Sequence, residues 1–209
     1  RSLGLVVIDE VQRVPELFPL LRVLVDRPDN RLRFLVAGSA SPVLLRQSSE
    51  TLAGRIAYHV IGGLSLDEVG TERSSELWLR GGFPRSLLAR TDGQSLRWRE
   101  EFVQTFLERD VPQLGITIPS IPLRRFWTML AHYHGQTWNG SEFARSFGVS
   151  DKTVRRYLDL LSDTFVAWQL QPWHENLSKR QVRSPKVYLR DSGLLHALLG
   201  LETVADLEG

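Results

Sequence analysis

Residues 3–8, LGLVVI, form an apolar run that stops at two acids, Asp9 and Glu10. A short run without alternation predicts a buried strand of a parallel sheet. From Pro15 to Val25, Leu17, Leu20, Leu21 and Leu24 recur at helical spacing, and DRPDN closes that helix with a turn cluster. LRFLVAGSAS, 32–41, repeats the first pattern, and Ser41-Pro42 opens a second helix with proline at a favoured first position. RIAYHVIGGLS, 55–65, reads as a third strand. Alternating strands and helices predict a parallel α/β sheet with ligands at the carboxyl ends of its strands.

After about Thr71 the pattern becomes helical. ELWLRGGFPRSLL is a helix broken by Gly81-Gly82 and Pro84. Residues 96–110 and 122–134 are helix-like with aromatic anchors, and GITIPSIP separates them. A domain boundary is therefore expected near 70–75. SEFARSFGVSDKTVRRYLDLL, 141–161, has Ala144, Gly148 and Val154 at the offsets of a helix-turn-helix: a small residue for close packing, glycine for the turn, a β-branched wedge. Ser150 is placed to cap the second helix, and Asp151 suits its first turn. TFVAWQLQPW and SPKVYLRD then read as two strands around a basic loop. The whole spells a winged helix at about 122–190.

Composition adds limits. The 209 residues are 42% apolar and 24% charged, ordinary for a globular protein. Without cysteine there is neither a disulfide nor a thiolate metal site, which fits a cytoplasmic protein. No apolar run approaches the roughly 18 residues of a membrane span. The start at Arg1, without Met, reads as a trimmed end. His59, His132, His134, His174 and His196 show no metal-ligand spacing. Trp127, Trp138, Trp168 and Trp173 are expected in the core.

Net charge is +2, but residues 171–190 carry five basic side chains against one acid, Glu175. That local excess suits phosphate or a solvated loop equally. On the second helix of the helix-turn-helix, Lys152, Thr153, Arg155 and Arg156 are the candidate DNA contacts, with Lys179, Arg180 and Arg183 in the wing. Residues 141–170 hold four basic and four acidic residues, so the helix pair is neutral, and Arg156 has Asp159 and Asp163 in reach. DNA binding and protein docking both stay open.

The acid pair carries the enzymatic signal. An Asp at a strand tip can orient Mg²⁺ through its water shell, and the following Glu can polarise the attacking water of a nucleotide hydrolase. Ser39, after the next strand, would lie beside Asp9, and Arg55 could stabilise phosphate charge in the same or a neighbouring subunit. Bland alternatives are a helix cap for Ser39 and a surface ion pair for Arg55. The phosphate-gripping segment G-x-x-x-x-G-K-[ST] is absent from the 209 residues. The chain alone is therefore expected to bind ATP poorly and hydrolyse none.

Together, LVVIDEVQRVP, FLVAGSAS, LAGR, WLRGGFP, FLERDVPQLG and SPKVYLRDSGLLHALLG resemble the bacterial and archaeal AAA+ ATPases whose P-loop domain precedes a DUF4143 domain. The resemblance implies residues 1–70 as the later part of an AAA+ domain and 71–209 as a mostly helical domain with the winged helix. It implies Asp9 and Glu10 as the Walker B acids, Ser39 as the sensor position and Arg55 as a phosphate-sensing arginine. ATP and Mg²⁺ would be cofactors of the full-length parent, with no metal bound directly here. Both ends read as truncated. DNA, a protein partner or a second copy of the chain are the partners to test, and a membrane is not among them.

Overall fold

The computed structural model describes residues 4–14, 16–38, 52–114, 118–173 and 184–208. The chain divides into two compact units, 1–60 and 61–209.

The first unit is a β–α–β element. Strand β1 (Gly4–Ile8) pairs in parallel with β2 (Leu32–Val36), in register from Gly4↔Leu32 to Ile8↔Val36. Helix α1 (Leu17–Val25) crosses between them and buries Phe18 and Leu21. These two join Val11 and Leu52 in a small core, with Ile8, Phe34 and Val36 packed against it. The opposite face of the sheet is open: Leu5 is 63% and Val7 60% exposed. This corrects the expectation of a fully buried strand: among the described residues, two strands and one helix supply one covering layer. The third strand expected over 55–65 is also not formed. An apolar run becomes a strand only where a neighbour completes its hydrogen bonds, and none among the described residues pairs with it. The helix expected from Ser41 lies outside the described residues.

The second unit is helical. Short α2 (Leu66–Val69) starts at Ser65, whose Glu68 completes a capping box. Then α3 (Ser74–Arg80) ends at Gly81, and α4 (Pro84–Leu87) begins with proline at its first position. The Gly-Gly-Phe-Pro break therefore falls where the sequence puts it. Helix α5 (Asp92–Thr105) is capped by the Thr91 side chain and runs into a π-helical turn at Phe106–Asp110. Along it the rings of Trp98, Phe102, Phe106 and Trp127 follow one another at 5.4, 6.2 and 5.4 Å.

Helix α6 (Ser120–His132) sends Leu123, Phe126, Trp127 and Leu130 into the main core. Helix α7 (Gly140–Phe147) stops at Gly148 in the left-handed conformation, φ 64°, and Val149 N–H closes the turn on Ala144 O at 3.1 Å. Glycine alone adopts that backbone without strain, which explains its place in the turn. Helix α8 (Asp151–Asp163) then buries Val154, Leu158 and Leu161. Strands β3 (Ala167–Leu170) and β4 (Lys186–Leu189) pair antiparallel. Helices α9 (Ser192–Leu199) and α10 (Val204–Glu208) complete the chain. No helix among the described residues is long and apolar enough to cross a membrane.

Candidate functional site

The tips of β1 and β2 are stitched together beyond the last strand pair. Ala37 N–H donates to Ile8 O at 2.8 Å, and Val11 N–H returns to Ala37 O at 3.2 Å. Between them the chain exposes Asp9 and Glu10 at the carboxyl end of β1. The Asp9 carboxylate accepts the Glu10 N–H at 2.9 Å, and Glu10 takes a left-handed backbone, φ 53° and ψ 40°. A non-glycine residue there costs on the order of 1 kcal/mol, and the buried Val11 anchors the next turn. The result is two adjacent carboxylates, held toward solvent beside the exit of β2. Ser39, which follows Gly38 at that exit, lies outside the described residues.

Arg55 is placed elsewhere. Its Nε donates to Asp26 Oδ1 at 2.6 Å and its Nη1 to Ala53 O at 3.0 Å. The hydrogen bond holds the Asp26 carboxyl below its ordinary range and raises the guanidinium. Asp26 closes α1 at the end of the unit where the strands begin. The fold thus brings Asp9 and Glu10 together and does not bring Arg55 to them.

On α8, Ser150 Oγ accepts Thr153 N–H at 3.2 Å. Lys152, Arg155 and Arg156 are exposed, and Thr153 is half-buried. Asp159 pairs with Arg155 at 3.0 Å, one helical turn away, rather than with Arg156 as the sequence suggested. Lys179, Arg180 and Arg183 lie outside the described residues.

Residues 71–205, more than half the chain, match the model of a domain of unknown function, DUF8612. The chain belongs to the DUF8612 family. DUF4143, the family named from the sequence, is not the one matched. Residues 2–70 match the model of an AAA domain. Two uncharacterised proteins, from Mycobacterium bovis and Mycobacterium tuberculosis, are each 55% identical over 205 residues. That stretch is 98% of this chain but 46% of either relative, so the chain spans about half the length of the curated relatives it matches. No solved structure matches.

The DUF8612 portion contains a polar crossing that sequence reasoning missed. The Asp191 carboxylate accepts the N–H groups of Gly82 and Leu194, both at 2.8 Å. Burial pushes the Asp191 carboxyl up, against the lowering pull of those bonds and of Arg99. Arg99 is fully buried, and its Nη1 donates to Leu79 O at 3.0 Å and Gly193 O at 2.9 Å. Its Nη2 has no hydrogen-bond partner. Gly193 approaches so closely that an added Cβ would collide with Arg80 O. The glycines of GGFP and RDSG are the local signal that could have pointed to this close approach; nothing in the local pattern marked Arg99 as buried.

Proposed function

We propose that this chain is part of an AAA-type ATPase, carrying its acid pair and a DUF8612 helical domain. The observation that carries this reading is the placement of Asp9 and Glu10, adjacent and exposed at the carboxyl end of β1 beside the exit of β2. Two carboxylates there fit a hydrated Mg²⁺ on a nucleotide polyphosphate, which supplies charge neutralisation when bound. Asp9 would hold the metal's water shell. Glu10, with its backbone already turned, would polarise the attacking water. Ser39 would reach the terminal phosphate. Arg55, pinned by Asp26 away from the acids, would serve only across a subunit boundary.

The sequence contains no phosphate-gripping loop, so the 209-residue chain by itself should show no Mg-ATP turnover. In a longer protein that carries the loop, Asp9→Asn or Glu10→Gln should abolish turnover while leaving the fold intact. Unchanged turnover in the double variant would remove the catalytic assignment.

A second reading takes α7, its Gly148 turn, α8 and the β3–β4 hairpin as a winged helix that touches DNA. The exposed Lys152 and Arg156 on the capped α8 favour it. Duplex affinity should then fall steeply with salt, and Lys152→Ala with Arg156→Ala should reduce that slope by about 2. A flat salt dependence would favour protein docking instead.

A further inference from the structure

The β3–β4 hairpin has two sharply different faces. Ala167, Val187 and Leu189 point inward and are buried. Trp168, Leu170, Lys186 and Tyr188 point outward, with Trp168 paired to Tyr188 and Leu170 to Lys186 across the ladder. The Trp168 and Tyr188 rings lie 6.1 Å apart, inclined at 43°. Behind them the His134 ring meets Tyr188 edge-on at 5.3 Å, which fixes the tyrosine. Trp168 is 49% exposed, and Trp173, just past β3, is 91% exposed. The core expectation therefore holds for Trp127 and Trp138 and fails for these two tryptophans.

Aromatic rings grouped on one exposed strand face mark an interaction surface. The charge around this face selects its occupant. Lys186 stands on it, and Arg190, also exposed, follows β4. An apolar protein partner would gain nothing from those two cations. A polyanion with flat, stackable groups would use both features: phosphates on the cations, bases on the rings. A duplex keeps its bases stacked on each other and offers none to a flat face, whereas a single strand offers each base in turn.

We propose that the outer face of the β3–β4 hairpin binds single-stranded nucleic acid, with Trp168 and Tyr188 stacking bases and Lys186 contacting phosphate. This is independent of the ATPase reading and of any duplex contact by α8. It needs neither nucleotide nor Mg²⁺, so Asp9→Asn should leave it unchanged.

The test is a fluorescence anisotropy titration of the full chain against labelled dT20, U20 and a 20-base-pair duplex at about 50 mM salt. Saturable binding of dT20 or U20, tighter than the duplex, is expected, and the difference between dT20 and U20 tells DNA from RNA preference. Trp168→Ala should weaken single-strand binding roughly 5- to 100-fold, the range for loss of one base–aromatic stack. Trp168→Phe should restore most of it. Trp78→Ala serves as a control, since Trp78 is about as exposed but lies on α3. Absent single-strand binding, equal loss with Trp78→Ala, or unchanged affinity with Trp168→Ala would each overturn the proposal. So would a duplex bound as tightly as the single strands with the same Trp168 dependence. Self-association of the chain abolished by Trp168→Ala would assign the face to a second copy instead.

Discussion

The Asp191 carboxylate joins two motifs 109 residues apart, accepting Gly82 N–H at 2.8 Å while capping α9 through Leu194 N–H. Both donors are backbone groups, so the side chain serves two segments at once. Asp191→Ala should cost about 2–4 kcal/mol, combining a lost helix cap with an orphaned buried N–H. Asp191→Asn, which keeps an acceptor oxygen, should cost less. Urea unfolding of the three chains checks the order.

Gly193 and Gly93 make opposite predictions. A Cβ at Gly193 meets the Arg80 carbonyl, a backbone atom that cannot swing aside, whereas a Cβ at Gly93 meets nothing within 4 Å. Gly193→Ala should destabilise by roughly 3 kcal/mol or more. Gly93→Ala, in the first turn of α5, should be neutral or stabilise by up to about 1 kcal/mol. Thermal melts of the two variants give the comparison directly.

Besides Ser95 O on its own helix, Arg99 holds the carbonyls of Leu79 and Gly193 from inside the core. Burial lowers its pKa, and Asp191 is the first charge that pulls it back up. Arg99→Met would leave both carbonyls without their donor, with an expected cost of about 3–5 kcal/mol. Arg99→Lys should recover only part, because a single ammonium does not reproduce the guanidinium's fork. Denaturant midpoints that are equal for Met and the native arginine would show the hydrogen bonds to be dispensable.

How much of this was legible follows from what each pattern encodes. β1, α1 and β2 were readable as elements because apolar spacing reports a covered face, but the face of α1 is shifted from the expected stripe: Leu21 is buried, Leu17 and Leu24 are half-buried, Leu20 is exposed, and Phe18 is covered instead. The pair of helices α7 and α8 was readable because Gly148 is required by its positive φ and Val154 by its burial. The open side of β1 was not readable: an apolar run shows what a strand could bury, not whether the layers that would cover it are present. Asp9 and Glu10 announced themselves by following a strand, yet the separation of Arg55 from them depends on the chain path through α1. Trp168 misled because tryptophan is usually buried on average, and only the strand register sends it outward.

Glu10 should trade stability for its position. Its left-handed backbone suits glycine, so Glu10→Gly should raise unfolding free energy by about 0.5–1 kcal/mol. Glu10→Gln, which keeps the backbone penalty, should be near neutral. A melting temperature for Glu10→Gly at or below that of Glu10→Gln would show that the side chain's own interactions outweigh the strain.

Acid should weaken the helical unit through two histidines. Leu189 N–H donates to His134 Nδ1 at 3.1 Å, so that nitrogen must be unprotonated. Burial lowers the His134 pKa below 6.5; burial first, and then Arg99 among its causes, lowers that of His196. The unfolded chain therefore takes up protons near pH 6.5 that the folded chain refuses. Stability from both groups is complete above pH 6.5 and declines as pH falls from there through their lowered values, with a slope of up to about 1.4 kcal/mol per pH unit for each. Asp191 acts in the other direction, since its raised carboxyl binds a proton more readily when folded, and it offsets part of the decline at the lower end. His134→Gln retains an acceptor for Leu189 but cannot titrate, so it should flatten the profile between pH 6.5 and 5. Urea titrations across that range, giving the same slope with and without His134, would assign the acid sensitivity to other groups.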